Sequence, residues 1–249
     1  MTIMLITGTF HDIGKVKCDE IWCIVRSLKN GLPNADVPIY HVPDLSPSFQ
    51  LFKNYLAWRD QGVWNLQTFE QCYKPRFMQE MCNVQALAML NRLYEKSKVM
   101  DILIVCFCPD ESMCHRSLVK QIIASMDYFY ALVAGSRTFG SYDVMCHYLD
   151  HFLQNHAGHI VIVSGGARGA DSMAERYADE HGCLKVIMPA QWDTYGKSAG
   201  FRRNEAMHQY IARFPHRGCI CFWDGQSKGT AHNFELCQKY STPLRTVRF

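Results

Sequence analysis

Glycine-rich and polar loops follow four apolar runs in the second half of this 249-residue chain. They read GSRTFGSYD from residue 135, SGGARGAD from 164, QWDTYGKSAGFRRNEAM from 191 and DGQSKGT from 224. Glycines let backbone N–H groups approach an anion, a following helix N-terminus favours negative charge, and Arg or Lys supplies a cation. The four loops together predict a pocket for an anionic ligand.

Each loop has a simpler interpretation when it is taken alone. The SGG triplet at residues 164–166 suits an ordinary tight turn, because glycine adopts positive φ readily. Asp171 is first of all an N-cap candidate, and Arg137 and Arg168 are by default solvated surface charges. Parallel strands bring their carboxyl ends to one edge of the sheet, where ligands bind. Four such loops at one edge favour a binding pocket over four unrelated turns.

Apolar runs and helix-compatible segments alternate through the second half. The runs are continuously apolar, which is typical of parallel strands covered on both faces. Within 141–156, Val144, Tyr148, Leu149 and Phe152 recur at helical spacing. The predicted strands cover residues 129–135, 159–165, 184–190, 219–225 and 243–249. The predicted helices cover residues 141–156, 170–182, 200–213 and 230–241.

The first half is less regular but has the same character. IMLITGT near the start and DILIVCFC at 101–108 predict buried strands, and VPIYHV at 37–42 predicts a shorter one. Residues 43–75 contain three prolines and are expected to be irregular in parts. The predicted helices cover residues 18–29, 47–60, 76–97 and 117–126. We therefore predict an α/β protein with two Rossmann-like domains, residues 1–126 and 127–249, whose mainly parallel sheets are flanked by helices.

The composition narrows the classes of partner. The chain is 48% hydrophobic and 20% charged, which is ordinary for a chain that buries a core. A formal net charge of only +3 does not require a broad nucleic-acid face, so nucleic acid is an unlikely partner. No apolar run approaches the roughly 20 residues of a membrane helix, and the segment MTIMLITGTF lacks signal-peptide features. We expect a cytoplasmic protein with no membrane partner, and a homo-oligomer stays open.

Twelve cysteines raise the question of disulfides or zinc. There is no C-x-x-C pair in the sequence, and reduced, mostly buried thiols are the default in a chain without a secretory signal. Cys106, Cys108, Cys114 and His115 are close enough in sequence to form a metal cluster. Structural zinc sites usually show tighter ligand pairing, so the prediction is no metal.

Four motifs of the second half are similar to a known family. GSRTF, SGGARGAD followed by AE.YA, PA.W..YGK.AG..RN..M and FWDG.SKGT resemble the YspA-like branch of the SLOG superfamily, in this order over about residues 129–249. That superfamily groups DprA-type DNA-processing proteins with LOG-type nucleotide phosphoribohydrolases. The resemblance implies a Rossmann-like domain that binds a nucleotide or a nucleotide-derived signal.

The resemblance and the loop chemistry together give the candidate ligand-binding residues. Backbone amides of residues 164–169, with Arg137 or Arg168, would hold phosphate, and Trp192, Tyr195 or Trp223 would stack on a base. The predicted ligand-binding set is Gly135, Ser136, Arg137, Ser164, Gly165, Gly166, Arg168, Gly169, Asp171, Trp192, Tyr195, Arg203, Asn204, Ser227, Gly229 and Thr230.

Catalysis is where the chain departs from the family pattern. LOG enzymes carry P-G-G-x-G-T-x-x-E, and its glutamate is implicated in breaking the N-glycosidic bond. The equivalent stretch here is DGQSKGTAHN, which places Asn233 at the glutamate position. An amide cannot act as a general acid or base, and Glu235 lies about 200° further around a helix. Asp171 and Glu175 are the possible replacements, and binding is better supported than hydrolysis.

The first half offers a second candidate site. Cys114, His115 and Arg116 stand at the start of a predicted helix after a strand, where a cysteine would have a lowered pKa and its two neighbours could hold an anion. A buried cysteine beside a capping histidine is the equally weighted alternative. The stretch resembles domain-of-unknown-function family 488, whose hallmark is C-[FY]-E followed by C-H-R, over about residues 3–125. The hallmark glutamate is Cys108 here.

Three functions are compatible with these observations. The leading one is a binding protein that senses or sequesters a nucleotide-derived molecule, such as an ADP-ribose-like or cyclic nucleotide, without a cofactor. The resemblance adds a possible setting in phage–bacterium conflict, including anti-defence. The alternatives are a nucleotide hydrolase that cleaves an N-glycosidic or phosphate bond, and a single-stranded DNA-binding protein by analogy with DprA. Whether the chain is an enzyme stays open.

Overall fold

The chain folds into two compact units, as seen in a computed structural model that describes residues 3–156 and 159–249. The first unit ends at Ser125, and the second spans Met126–Phe249. Residues 1 and 2, the first two of the predicted first domain, lie outside the described residues. Each unit contains one sheet of parallel strands with helices packed against it. The predicted α/β class with two Rossmann-like sheets is confirmed.

The second unit contains a five-stranded sheet. Its spatial order is β7-β6-β5-β8-β9, and every pair of neighbours is parallel. The central strand β5 is buried along nearly its whole length, as its unbroken apolar sequence predicts. The strands are β5 Phe129–Gly135, β6 Ile160–Ser164, β7 Leu184–Ile187, β8 Arg217–Trp223 and β9 Leu244–Arg248.

Helices cover both faces of this sheet. Met145 and Leu149 of the first helix and Ala174 of the second pack on one face together with Phe222. Met207 and Ile211 pack on the other face. The helices are α6 Tyr142–Leu153, α7 Ala170–Glu180, α8 Trp192–Tyr195, α9 Ala199–Ile211 and α10 Lys228–Lys239, with a short 3-10 turn at Gly196–Ser198.

The first unit contains a smaller sheet of four parallel strands. Its spatial order is β1-β4-β2-β3, so β4 lies between β1 and β2 and is buried at all five positions. The strands are β1 Leu5–Thr9, β2 Glu20–Cys23, β3 Ile39–His41 and β4 Ile102–Cys106.

One predicted helix of the first unit is interrupted. The predicted helix 76–97 is two helices, because Asn83 has extended backbone and its side chain accepts a hydrogen bond from the Ala86 N–H, which starts a new helix. The helices are α1 Phe49–Asp60, α2 Leu66–Thr68, α3 Lys74–Glu80, α4 Val84–Ser97 and α5 His115–Ser125, with 3-10 turns at Phe10–Asp12 and Pro43–Leu45 and a π-helical turn at Phe69–Tyr73.

The predicted helix at 18–29 is wrong. Its apolar core forms β2, and all four residues of that strand are buried. Glu20 is tolerated there because its carboxylate accepts a hydrogen bond from Trp22 Nε1 at 3.1 Å and is also in contact with Lys96 Nζ. A strand buried on both faces and a short amphipathic helix both read as a run of apolar residues, so periodicity alone could not separate them.

None of the helices in the described parts of the chain is long and apolar enough to span a membrane.

Candidate functional site

The second unit has a cavity of about 360 Å³ where the chain reverses its direction of travel across the sheet. Successive strands run outward from β5 through β6 to β7, and β8 then lies on the other side of β5. Helices leave such a pair of neighbouring strands toward opposite faces, which opens a crevice at their carboxyl ends. The loops after β5, β6, β7 and β8 all contribute residues to the cavity wall.

More than half of the predicted ligand-binding residues line this cavity. Those that line the cavity come from all four loops, so the predicted convergence of the loops on one place is visible in the structure. They are Gly135, Arg137, Asp171, Trp192, Arg203, Asn204, Ser227, Gly229 and Thr230.

Seven nominated residues do not line the cavity. Arg168 and Tyr195 are exposed, and Tyr195 instead stacks beneath the Arg202 guanidinium at 4.6 Å. Ser136 is buried and its hydroxyl accepts a hydrogen bond from the Asp224 N–H at 3.2 Å. The other four belong to the SGGARGAD loop and do not contribute to the cavity wall. The seven are Ser136, Ser164, Gly165, Gly166, Arg168, Gly169 and Tyr195.

Two of these glycines are needed because other groups occupy the space of a side chain. A Cβ on Gly165 would lie 1.2 Å from Nη1 of Arg203. Gly169 precedes α7 with φ of 82°, and its Cβ would lie 2.7 Å from the carbonyl oxygen of Ser136. Gly165 therefore leaves room for the Arg203 guanidinium, and Gly169 lets the start of α7 lie close to the backbone of Ser136 and Arg137.

A buried ion pair holds that arginine. Arg203 Nη1 lies 3.3 Å from Oδ2 of Asp171, and Arg203 Nε donates to Oδ1 of Asn204 at 2.9 Å. Burial raises the pKa of Asp171, although Arg203 and the Ala167 N–H both favour the ionised carboxylate. These contacts leave Nη2 of Arg203 without a hydrogen-bond partner among the described residues. The cavity thus contains a guanidinium whose orientation is fixed by Asp171 and Asn204 and whose Nη2 group can donate to a ligand.

The structure adds lining residues that the sequence reasoning missed. Lys197 brings a further cation, Phe201 brings an aromatic ring, and Asp224 caps the loop before α10 by accepting from two backbone N–H groups. These N–H groups hold the pKa of Asp224 below its ordinary value. Lys197 and Phe201 belong to the quoted motif YGKSAGFRRN, and their place in the same motif as Arg203 was the available signal. Further lining residues are Ala134, Thr138, Ala167, Gly200, Met207 and Asn233.

Asn233 has a structural role in the wall of this cavity. Its Nδ2 donates to the carbonyl oxygen of Gly229 at 3.0 Å, and its Oδ1 lies 3.2 Å from Nε2 of the buried His208. Glu175, the other candidate replacement for a catalytic glutamate, accepts a hydrogen bond from the Ser164 hydroxyl at 2.5 Å and does not line the cavity. In the described residues, Asp171 and Asp224 are the carboxylates in the wall.

The first unit has a separate and larger cavity of about 770 Å³. Its wall is largely apolar and includes several aromatic rings, with Phe10 and Phe107 stacked at 4.4 Å and Tyr55 packed edge-on against Trp64. Arg26 supplies charge at the wall, although its Nη2 already donates to the carbonyl oxygen of Pro47. The Cys108, Cys114 and His115 side chains reach this cavity.

The three residues nominated there for anion binding, Cys114, His115 and Arg116, are all buried. Arg116 does not line the cavity, because its Nη1 donates to Cys106 Sγ at 3.3 Å and to the Cys108 carbonyl oxygen at 2.6 Å. The expected lowering of a cysteine pKa falls on Cys106 instead of Cys114. Hydrogen bonds from the Cys108 and Cys114 thiols lower the pKa of Cys106, and the shared contact with Cys106 raises the pKa of Cys114.

Comparison with protein families agrees with both resemblances. Residues 15–127 match the family described as the active DUF488-N3 subclade, and residues 131–195 match the YspA, cpYpsA-related SLOG family. A curated relative, the Gene 61 protein of Mycobacterium phage D29, is 32% identical over 118 residues, which is 45% of this chain and 91% of that protein.

Two solved structures of DNA processing protein A are also similar. The Helicobacter pylori protein, described by its single-stranded DNA binding mode, is 21% identical with a TM-score of 0.34, over 49% of this chain and 67% of its own. The Streptococcus pneumoniae protein is 12% identical with a TM-score of 0.35, over 82% of this chain and 83% of its own.

Proposed function

Because the second unit of the chain belongs to the YspA, cpYpsA-related SLOG family and the first to the active DUF488-N3 subclade, we propose that the second unit binds a nucleotide-derived small molecule in the crevice between β5 and β8. The observation that carries the proposal is the convergence of loops from four strands on one cavity around the oriented guanidinium of Arg203. The proposed ligand class is a phosphate-containing nucleotide, such as an ADP-ribose-like molecule or a cyclic nucleotide.

The charge in the cavity supports an anionic ligand. Arg137, Lys197 and Arg203 line it, whereas Asp171 is already paired with Arg203 and Asp224 is occupied with backbone N–H groups. Arg137 and Lys197 make no ion pair with a carboxylate in the described part of the chain. Cations without a carboxylate partner at the mouth of a crevice are what a phosphate group requires.

The cavity also supplies a surface for a base. The Arg137 guanidinium lies 5.6 Å from the centre of the Trp192 ring, and the half-exposed Trp192 lines the cavity together with Phe201. A planar base can stack on such rings while its phosphate contacts the cations. A volume of about 360 Å³ is at the small end for ligand pockets, which favours a mononucleotide-sized moiety in the cavity.

The proposal is binding rather than cleavage. The position of the catalytic glutamate in the resembling enzymes is filled by Asn233, whose oxygen and nitrogen are both engaged in hydrogen bonds. Asp171 could serve as a general acid only by giving up its ion pair with Arg203. Sensing or sequestering a nucleotide signal in phage–bacterium conflict fits a binding site of this kind, and a phage encodes one relative of the chain.

The first experiment identifies the ligand class. Small molecules released from the purified, denatured chain are analysed by mass spectrometry, and the stripped chain is titrated calorimetrically with ADP-ribose, NAD, cyclic nucleotides and a single-stranded oligonucleotide. The proposal predicts saturable binding of at least one phosphate-containing nucleotide with no released base or phosphate after incubation. Binding of the oligonucleotide alone, with affinity falling steeply as salt rises, would favour DNA binding and overturn the proposal.

A further inference from the structure

A cluster of three cysteines and one histidine lies at the floor of the aromatic cavity in the first unit. Cys106 ends β4, Cys108 follows it, and Cys114 and His115 stand where α5 begins. The three sulfur atoms and one ring nitrogen of the histidine all lie within 4.8 Å of one another. Residues 109–113 connect the first pair, Cys106 and Cys108, to the second pair, Cys114 and His115, and bring the two pairs together.

Hydrogen bonds around the cluster are those expected around metal-bound thiolates. The backbone N–H of Cys108 donates to Cys106 Sγ at 3.3 Å, and the N–H of Arg116 donates to Cys114 Sγ at 3.5 Å. The Arg116 side chain adds a further donor to Cys106 Sγ. Sulfur is a weak acceptor as a thiol, so several N–H donors aimed at it fit sulfur atoms that bear negative charge.

The histidine ring is oriented as a metal ligand. His115 Nε2 lies 2.7 Å from the carbonyl oxygen of Ile24, so Nε2 bears the proton and donates to that oxygen. The other nitrogen, Nδ1, then presents its lone pair toward the cluster, 3.8 Å from Cys114 Sγ. A ligating histidine characteristically donates its second ring N–H to a backbone carbonyl in this way.

A buried positive charge requires compensation at the same place. Arg116 is 2% exposed and makes no ion pair with a carboxylate in the described residues. Asp12, Asp110 and Glu111 interact with this guanidinium only at a longer range than an ion pair, and a buried charge without a direct partner is costly in the interior of a protein. Three thiolates around a divalent ion bear a net charge of −1, which the single charge of Arg116 balances.

From this geometry we propose that Cys106, Cys108, Cys114 and His115 bind one zinc ion. Zinc prefers four tetrahedral sulfur and nitrogen ligands, with Zn–S distances of ~2.3 Å and Zn–N distances of ~2.0 Å. Ligand atoms around such an ion are roughly 3.5–3.8 Å apart. The Sγ atoms of Cys106 and Cys114 are 3.0 Å apart, so they must separate by under about 1 Å to reach the distance that zinc ligands require. On binding, the thiols release their protons to solvent and the sulfur atoms donate electron pairs to the ion. The ion would tie the end of β4 to the start of α5.

The proposal departs from the sequence-based prediction of no metal. It depends on Cys108, which replaces the glutamate of the C-[FY]-E hallmark and supplies the third sulfur. The described residues contain one other group of this type, His208, Cys219 and Cys237, and it offers three ligand atoms rather than four. The experiment must therefore locate the metal as well as detect it.

The test measures zinc in the full chain after dialysis against excess zinc and then buffer. Inductively coupled plasma mass spectrometry is expected to give about one zinc per chain, and Co²⁺ in its place is expected to give the visible absorption of tetrahedral thiolate coordination. Cys108→Ser and Cys114→Ser should each lose the zinc and the absorption. Cys23→Ser, at a thiol of the same unit that is as buried as Cys114 but lies outside the cluster, should keep both.

Three results would overturn the proposal. One is a wild-type chain that retains no zinc, and another is equal zinc in Cys108→Ser, Cys114→Ser and the wild type. The third is a Cys106–Cys114 disulfide found by mass spectrometry in freshly purified, folded chain. Circular dichroism distinguishes metal loss from misfolding, and Cys108→Ser is decisive because Cys108 is only partly buried and its replacement leaves the core intact.

Discussion

Replacing Gly165 by Ala would test the packing of Arg203 on the SGGARGAD loop. Gly165 does not adopt a positive φ, so alanine fits its backbone conformation. The new methyl carbon would nevertheless lie 1.2 Å from Arg203 Nη1 and 2.0 Å from Cζ. Because a guanidinium is the mobile end of a long side chain, we expect it to swing away and leave the fold in place. The ion pair with Asp171 would then break.

The cost follows from what the ion pair contributes. A hydrogen bond to a charged group is worth about 1.5–3 kcal/mol net. For a unit of this size, roughly 4 °C of melting temperature corresponds to 1 kcal/mol, so the Tm of the unfolding transition of the second unit should fall by about 6–12 °C at pH 7. Gly140→Ala is the control, because its Cβ would meet no atom closer than 4.0 Å.

The effect should also depend on pH. Burial already raises the pKa of Asp171, and losing Arg203 would raise it further. An unfolded aspartate ionises near pH 3.9, so above that pH the folded state binds more protons than the unfolded state and stability falls as pH rises. Differential scanning fluorimetry should therefore show a larger Tm loss for Gly165→Ala at pH 7 than at pH 4.5. Equal losses at both pH values, or no loss, would refute the assignment of the pair.

Two further predictions concern the same unit. Burial lowers the pKa of His208 to about 4, so the folded state resists protonation of this ring. The free energy of unfolding should therefore fall by about 3 kcal/mol as the pH falls from 6.5 toward 4. His208→Gln should flatten the acid side of the curve of Tm against pH, whereas His147→Gln, at an exposed position, should not. Gly169→Ala places a methyl carbon 2.7 Å from the Ser136 carbonyl oxygen at a φ of 82°. Urea denaturation should show a free energy of unfolding lower by at least about 2 kcal/mol. A loss as small as that of Gly140→Ala would contradict this packing.

Most residues of the candidate crevice could be predicted from the sequence. Motifs that follow parallel strands must converge at one sheet edge, so residues such as Arg137, Asp171 and Thr230 could be brought together from order alone. The sequence could not show which of these side chains point into the cavity. Arg137 and Arg168 lie in the loops after the neighbouring strands β5 and β6, yet Arg168 faces solvent and Arg137 lines the cavity, because loop dihedrals decide which way a side chain points.

The first unit was less predictable for two physical reasons. A strand buried on both faces, such as β2, lacks the alternation that identifies a strand, so the pattern around Trp22 predicts a helix instead. The four residues of the cysteine cluster lie near one another in sequence, which raises the question of a metal site, but the gap between Cys108 and Cys114 is wider than the ligand pairs of usual zinc sites. The sequence therefore could not show that residues 109–113 bring Cys114 to Cys106. The aromatic cavity beside it joins residues as far apart as Phe10 and Phe107 and was not predicted.

The central claim is that the crevice between β5 and β8 holds an anionic nucleotide through its own cations. The most direct measurement is a calorimetric titration of the tightest ligand from the nucleotide panel into two matched variants, Arg137→Ala and Arg168→Ala. Both remove an exposed arginine from neighbouring loops, but only Arg137 lines the cavity. Losing a charge-assisted contact of about 1.5 kcal/mol should weaken binding about tenfold in Arg137→Ala and leave Arg168→Ala like the wild type. Equal affinities in both variants and the wild type would contradict the claim.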